Sequence, residues 1–135
     1  MDMKLELMII PVTDIDRAKA FYEQAGFDTD QDHQAGDVFR VVQVTPPGSA
    51  CSVAFGKGMP QPEAPAVGLH LVVGDVVAAR DDLVARGIEV DEVFHFGEEG
   101  QVSGPHPERV DYGSFASFAD PDGNLWLLQE IASRA

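Results

Sequence analysis

Apolar and polar positions follow two rhythms along this chain, short strand-like runs and stretches of helical spacing. Leu5 to Val12 is a short apolar run and predicts a first strand. Asp14 then stands as a helix N-cap, with Asp16 in the first turn, where the dipole favours a carboxylate. Ile15, Ala18, Phe21, Tyr22 and Ala25 recur at helical spacing, and Gly26 is the expected stop. Phe27 to His33 and Asp37 to Thr45 predict two more strands, joined at Ala35-Gly36. Pro46-Pro47-Gly48 breaks the chain, and Cys51 to Phe55 gives a fourth strand. The first half therefore reads β-α-β-β-β.

Gly56 to Ala66 is rich in Pro and Gly without periodicity and reads as a linker, after which the pattern starts again. Val67 to Val73 predicts a strand and Asp75 a cap. Val76, Ala79, Leu83 and Val84 form a buried stripe, and Gly87 ends the helix. Ile88 to Phe96 predicts a strand, and Gly97 to Gly113 a long irregular segment. Phe115 to Phe118 and Leu125 to Leu128 predict a closing hairpin around Asp120-Pro121-Asp122-Gly123-Asn124. Pro121 presets φ for the turn, Asp120 bonds its own backbone ahead, and Gly123 takes the positive φ that ends it. The repetition has one register: Asp14 and Asp75, Ala18 and Ala79, and Gly26 and Gly87 are each 61 residues apart. Cap, helix-face alanine and stop are three different physical types, so their shared offset argues for an internal duplication. The expected organisation is one domain over residues 1–135, with module 1 at about 1–56, a linker at 57–66 and module 2 at about 67–131.

Composition narrows the partners. A chain of 135 residues that is 44% hydrophobic supports one packed core. Nine Lys and Arg against 23 Asp and Glu give a formal net charge of −14, which repels phosphate backbones and anionic membranes. Nucleic acid and membrane are therefore not expected as partners. No apolar run is long enough to cross a bilayer, and the start carries Asp2 and Glu6 rather than a basic leader. The lone Cys51 excludes an internal disulfide, reads as a small hydrophobe and fits a reducing compartment, so a cytoplasmic location is expected.

The wording of the closing turn is more specific than its physics. A strand ending in Asp-Pro-Asp-Gly-Asn and followed by an apolar strand, here Phe118 to Trp126, resembles the close of domains in the vicinal oxygen chelate superfamily. That superfamily includes glyoxalases, extradiol dioxygenases and bleomycin-resistance-type binding proteins. With the duplication, the resemblance covers nearly the whole chain, and Trp126-Leu127-Leu128-Gln129-Glu130 is similar to glyoxalase-like members that end in Trp-x-x-Gln-Glu. It implies an α+β fold: two tandem β-α-β-β-β modules forming a curved mixed sheet around a cleft. It also implies a homodimer and a small organic ligand.

Metal-dependent members place ligands seven residues before each cap Asp and three residues after the turn Asn. Those positions are Leu7, Gly68 and Leu127, which offer no donor atom, so neither the usual metal nor another cofactor is expected. A divalent ion held through displaced ligands stays open. Stepping by two keeps to the same strand face, leading from Gly68 to His70 and from Leu127 to Gln129. His70 is the candidate general base. His70, Gln129, Tyr112, Arg40 and Arg109 are the candidate ligand-binding residues, with Tyr112 and Arg109 on a lid formed by Gly97 to Gly113. Glu130 falls on the opposite face and reads as a solvated or ion-paired carboxylate. His33, His95 and His106 have no ligand spacing. Three functions remain open: a protein that sequesters a drug or metabolite, a glyoxalase-like lyase, isomerase or dioxygenase working through displaced ligands or an acid–base His, and a purely structural partner domain.

Overall fold

The structure, a computed structural model, describes residues 1–135. Two helices set the frame. Helix α1 (Ile15–Gln24) and helix α2 (Val76–Ala85) are each ten residues long and start 61 residues apart. Asp14 caps α1 by accepting from the Arg17 N–H, and Asp75 caps α2 by accepting from Val77 and Ala78. Both helices end in the same motif. Gly26 (φ 96°) and Gly87 (φ 88°) take the left-handed turn, and the next residues, Phe27 and Ile88, donate back to the carbonyls of Tyr22 and Leu83. The repeat seen in the sequence is thus a repeat of backbone hydrogen bonding.

Around α1 the strands β1 (Leu7–Ile9), β2 (Asp28–Ala35), β3 (Phe39–Thr45) and β4 (Ser52–Lys57) form a sheet in the order β1-β4-β3-β2. Around α2 the strands β5 (Leu69–Val73), β6 (Phe94–Gly97), β7 (Gly100–Ser103), β8 (Ser114–Ala119) and β9 (Leu125–Glu130) form a second, in the order β5-β9-β8-β6-β7. In each, one parallel pair, β1 with β4 and β5 with β9, lies beside antiparallel neighbours. The first four positions of the two orders match, so these are two β-α-β-β-β modules, the second carrying the extra edge strand β7. A short 3-10 turn, Ala132–Arg134, ends the chain.

Each sheet buries one face under its own helix. Tyr22 of α1 lies against Phe55 of β4, ring centres 5.8 Å apart, beside buried Ile10, Val42, Val44 and Val53. In the second sheet Trp126 stacks on Phe118 at 6.1 Å, with Ala116, Leu128 and the α2 residues Val76 and Leu83 buried. Burying each large side chain contributes roughly 1.5–3 kcal/mol.

Three local expectations change. The first strand is three residues long rather than the full run from Leu5, because Ser52 to Ala54 pair only with Leu7 to Ile9. Ile88, Val90 and Val93 are buried at alternate or near-alternate positions, yet the strand starts only at Phe94. The stretch before it is tied to β8 by an Asp91 N–H to Ser117 carbonyl bond. The segment from Gly97 is not wholly irregular, since Gly97 pairs with Gly100 in a tight hairpin that creates β7.

The chain divides into two compact units. One is residues 1–66 with 120–124, the other residues 67–119 with 125–135. The turn between β8 and β9 therefore belongs to the first unit. Gly123 has φ 83°, and a Cβ there would meet only Pro65 Cγ at 3.9 Å, so the strain of a substitution is conformational. Gly123→Ala is expected to destabilise the fold by about 1 kcal/mol, seen as a drop of roughly 3–5 °C in melting temperature. An unchanged melting temperature would rule out this account of the turn.

Candidate functional site

In the second unit the face away from α2 is fixed by strand parity, because directly paired residues share a face. Phe94 pairs with Phe115, Phe115 with Gln129, and Gln129 with Val72. One step along, Ser117 pairs with Leu127 and Leu127 with His70. Glu130, which bonds the N-terminus of α2, lies on the other side. His70 and Gln129 are thus diagonal neighbours on one face, as strand alternation predicts.

The other end of that face is aromatic. Phe94 and Phe115 are stacked with centres 5.5 Å apart, and Phe96 meets them edge-on at 5.6 and 5.7 Å. Phe115 is buried, while Phe96 is 61% exposed. Sequence reasoning passed over these rings. The signal was present: Phe94 and Phe96 are two apart on one strand, and Phe115 follows from hairpin parity with Gln129.

His70 is exposed, and its Nδ1 lies 2.5 Å from the Gly68 carbonyl oxygen. A carbonyl only accepts, so Nδ1 donates here, and in the neutral imidazole Nε2 keeps its lone pair. Gly68 itself stands just before β5 with φ 75°, and a Cβ there would approach the imidazole at 3.7 Å.

The two arginines do not join this face. Arg40 pairs in register with Lys57, two residues along from the Val42–Phe55 pair, so it shares that pair's face and points toward α1. There it bonds both oxygens of Asp32 at 2.9 Å and Asp16 at 2.8 Å. These bonds from Arg40, with one from Lys19, hold the Asp32 carboxyl well below its ordinary range. Its guanidinium, expected from the sequence to meet a ligand, here bonds carboxylates of the same unit. Arg109 is likewise committed. It reaches Glu130 at 2.5 and 3.0 Å and the cap residue Asp75 at 3.0 Å. Glu130, only 2% exposed, also accepts from the Val76 N–H at 2.9 Å. Arg109 thereby fastens its loop to the start of α2. Tyr112 is held by an N–H bond to the Glu130 carbonyl, and its hydroxyl lies 3.5 Å from Arg134. In this unit His95 bonds the Gly104 carbonyl and His106 accepts from the Glu108 N–H, so both imidazoles fasten the same loop.

With this geometry in view, the chain matches, over residues 4–128, the model of the Glyoxalase/Bleomycin resistance protein/Dioxygenase superfamily, and it belongs to that family. It is 30% identical over 125 residues to the uncharacterized protein YetH of Bacillus subtilis (strain 168), covering 88% of this chain and 91% of that protein. Among solved structures it resembles TnmS3, an antibiotic binding protein from Streptomyces sp. CB03234. The TM-score is 0.71 at 33% identity, over 96% of this chain and 97% of that one. A glyoxalase/bleomycin resistance protein from the same strain gives a TM-score of 0.67 at 34% identity, over 93% and 99%. The two tandem modules are the fold of this family.

The metal of metal-dependent members does not fit the residues present. Leu7, Gly68 and Leu127 supply no donor, and no three His, Cys, Asp or Glu side chains are gathered to hold an ion. No helix is long and apolar enough to cross a membrane.

The Arg109 hydrogen bonds hold Glu130 below its ordinary value against the opposing effect of burial, and the Ala78 N–H, then Arg109, lower Asp75. A carboxyl lowered in the folded state stabilises above its ordinary pKa and loses that contribution as pH falls through the folded value. Removing Arg109 would leave Glu130 charged and buried with a single backbone donor. Arg109→Met is expected to cost about 2 kcal/mol at neutral pH, toward the low end for orphaning a buried charge because Arg109 is half-exposed. Its stability should also change less than that of the native chain between about pH 5 and pH 3. Urea titrations across that range measure both effects, and parallel curves would refute the assignment.

Proposed function

We propose that this protein binds a small, flat, largely apolar organic molecule on the face of the second sheet that points away from α2. We further propose that it sequesters this molecule rather than converting it. The observation that carries the reading is the cluster of Phe94, Phe96 and Phe115, with Phe96 61% exposed beside two rings that fix its position. A flat ring gains stacking on such a platform, worth about 0.5–1.5 kcal/mol beyond area burial. Gln129, on the same face, offers an amide that can donate or accept, and His70 offers a lone pair on Nε2. An acidic chain of net charge −14 favours a neutral or cationic ligand over an anionic one. The likeness to TnmS3, described as an antibiotic binding protein, supports a ligand of drug-like size. A cytoplasmic homodimer is part of the same proposal, on the family resemblance and the single-cysteine composition.

A neutral flat dye, N-phenyl-1-naphthylamine, tests the site, since its fluorescence rises in apolar surroundings. Phe96→Ala is expected to weaken its binding by about fivefold or more, equivalent to about 1 kcal/mol. His70→Ala should weaken binding of a hydrogen-bonding analogue with little change in melting temperature. Equal binding by native chain and both variants would defeat the proposal.

The absent donors at Leu7, Gly68 and Leu127 lead to a further expectation. Protein purified without chelators and then dialysed should hold far less than one divalent ion per chain by elemental analysis. A stoichiometric, tightly held ion would overturn it. A second reading, an acid–base enzyme, rests on the Nε2 lone pair that the Gly68 bond leaves free on His70. Turnover of any substrate that His70→Gln abolishes would favour that reading over sequestration.

A further inference from the structure

We propose that the segment before β1 is the surface through which two copies of this chain join, as an antiparallel strand pair that continues the first sheet. The inference rests on the homodimer of the proposed function and names the residues that meet in it. Every odd position from Met1 to Ile9 is a large apolar residue, and Asp2, Lys4 and Glu6 stand between them. That alternation is the pattern of a strand with one apolar face. Only Leu7–Ile9 form a strand, because β4 begins at Ser52 and the last backbone bond runs from the Ser52 N–H to the Glu6 carbonyl. Beyond that bond nothing covers the stripe, and Met3 is 87% and Leu5 68% exposed. Lys4 is also exposed and enters none of the ion pairs of a chain with 23 Asp and Glu.

The first sheet has two edges, and they differ. At one, β2 carries Asp28, Asp30 and Asp32 and is bent by a bulge between Thr29 and Gln31, features that keep further strands from adding. At the other, β1 turns the backbone groups of its even residues to β4: the Glu6 carbonyl accepts from Ser52, and the Ile10 N–H donates to Ala54. The odd residues therefore turn theirs outward, away from the sheet. Two copies related by a two-fold axis pair antiparallel, and directly opposed residues share a face. Charge then selects the register. Centring the pair on Lys4 or on Glu6 sets like charges opposite each other, which is unfavourable. Centring it on Met3 sets Lys4 against Asp2 of the second copy but pairs only residues 1–5. Centring it on Leu5 sets Lys4 against Glu6 of the second copy in both directions, and Met3 against Leu7, over residues 1–9. That register satisfies the cation and uses the whole apolar stripe. A net charge of −14 opposes self-association in general. Residues 1–9, with Lys4 against Asp2 and Glu6, are nearly balanced and oppose it little.

Sedimentation equilibrium of the full chain over a range of concentrations tests the pairing, and a concentration-dependent dimer is expected. Lys4→Glu puts a carboxylate opposite Glu6 at two places and should weaken the dimer about tenfold. Adding Glu6→Lys should restore it. Adding Asp2→Lys instead, which gives the same net charge, should not. All three residues are exposed and lie outside the helices and strands, so the melting temperature should hold in every variant. A dimer of unchanged affinity in Lys4→Glu would overturn this surface and leave the homodimer standing. Restoration by Asp2→Lys, or by neither change, would overturn the pairing of Lys4 with Glu6. A monomer at every concentration would defeat the homodimer and this surface with it.

Discussion

The first unit depends on one buried carboxylate. Asp120 is 5% exposed, and its two oxygens accept from the Tyr22 hydroxyl at 2.6 Å, the Asp122 and Asn124 N–H groups at 2.9 and 3.0 Å, and the Asn124 side-chain amide at 2.8 Å. Asn124 is fully buried, donates to the Pro11 carbonyl and accepts from the Ala66 N–H. Every acceptor in this cluster has a donor, which is the condition under which a buried charge is tolerated. The turn Asp-Pro-Asp-Gly-Asn is therefore more than a way to reverse the chain. Its two carboxylates and its amide fix the end of β1, the start of α1 and the end of the linker, all within one unit. Losing one member would leave the others buried and unpaired, so the motif acts as a set.

In the second unit strand alternation separates charge from neutral polar groups. Its buried charge, Glu130, is spent on the helix side, on Arg109 and the first amide of α2. Gln129, next in sequence, turns to the other face. Because strand alternation puts neighbours on opposite sides, one dipeptide supplies a structural ion pair to one face and a neutral amide to the other. The loop carrying Arg109 and Tyr112, each with positive φ (51° and 67°), is thereby fastened at the end of β9. A loop held by Arg109, His95 and His106 is a brace, and the lid expected from its length is not what its contacts build.

What was legible in the sequence was local. Caps and stops repeat at 61 residues because they satisfy backbone groups within a few positions, and the turn declares itself through Pro121 and Gly123. His70 and Gln129 were reached by counting along single strands, which needs no knowledge of partners. The partners of the two arginines needed register or distance. Arg40 is assigned to a face only once Val42 is known to oppose Phe55. Arg109 meets residues 34 positions earlier and 21 later, which spacing alone cannot announce. The aromatic cluster lay between these cases: the Phe94–Phe96 step was readable, but its junction with Phe115 required the β6–β8 pairing.

Whether such a face binds or catalyses turns on what it can do selectively in a transition state. In the binding mode proposed above, stacking on Phe96 and a hydrogen bond from Gln129 would hold a ground state and a transition state about equally, and uniform binding does not accelerate chemistry. The strand positions of this face carry one titratable side chain, His70. Its Nδ1 is engaged by a carbonyl two residues away, so no carboxylate orients the ring or stabilises an imidazolium as it forms. Leu127, in the middle of the face between His70 and Ser117, carries no donor atom for a metal. A Leu at that position avoids the desolvation cost of a carboxylate and adds apolar area, which is the physical basis of the sequestration proposed above.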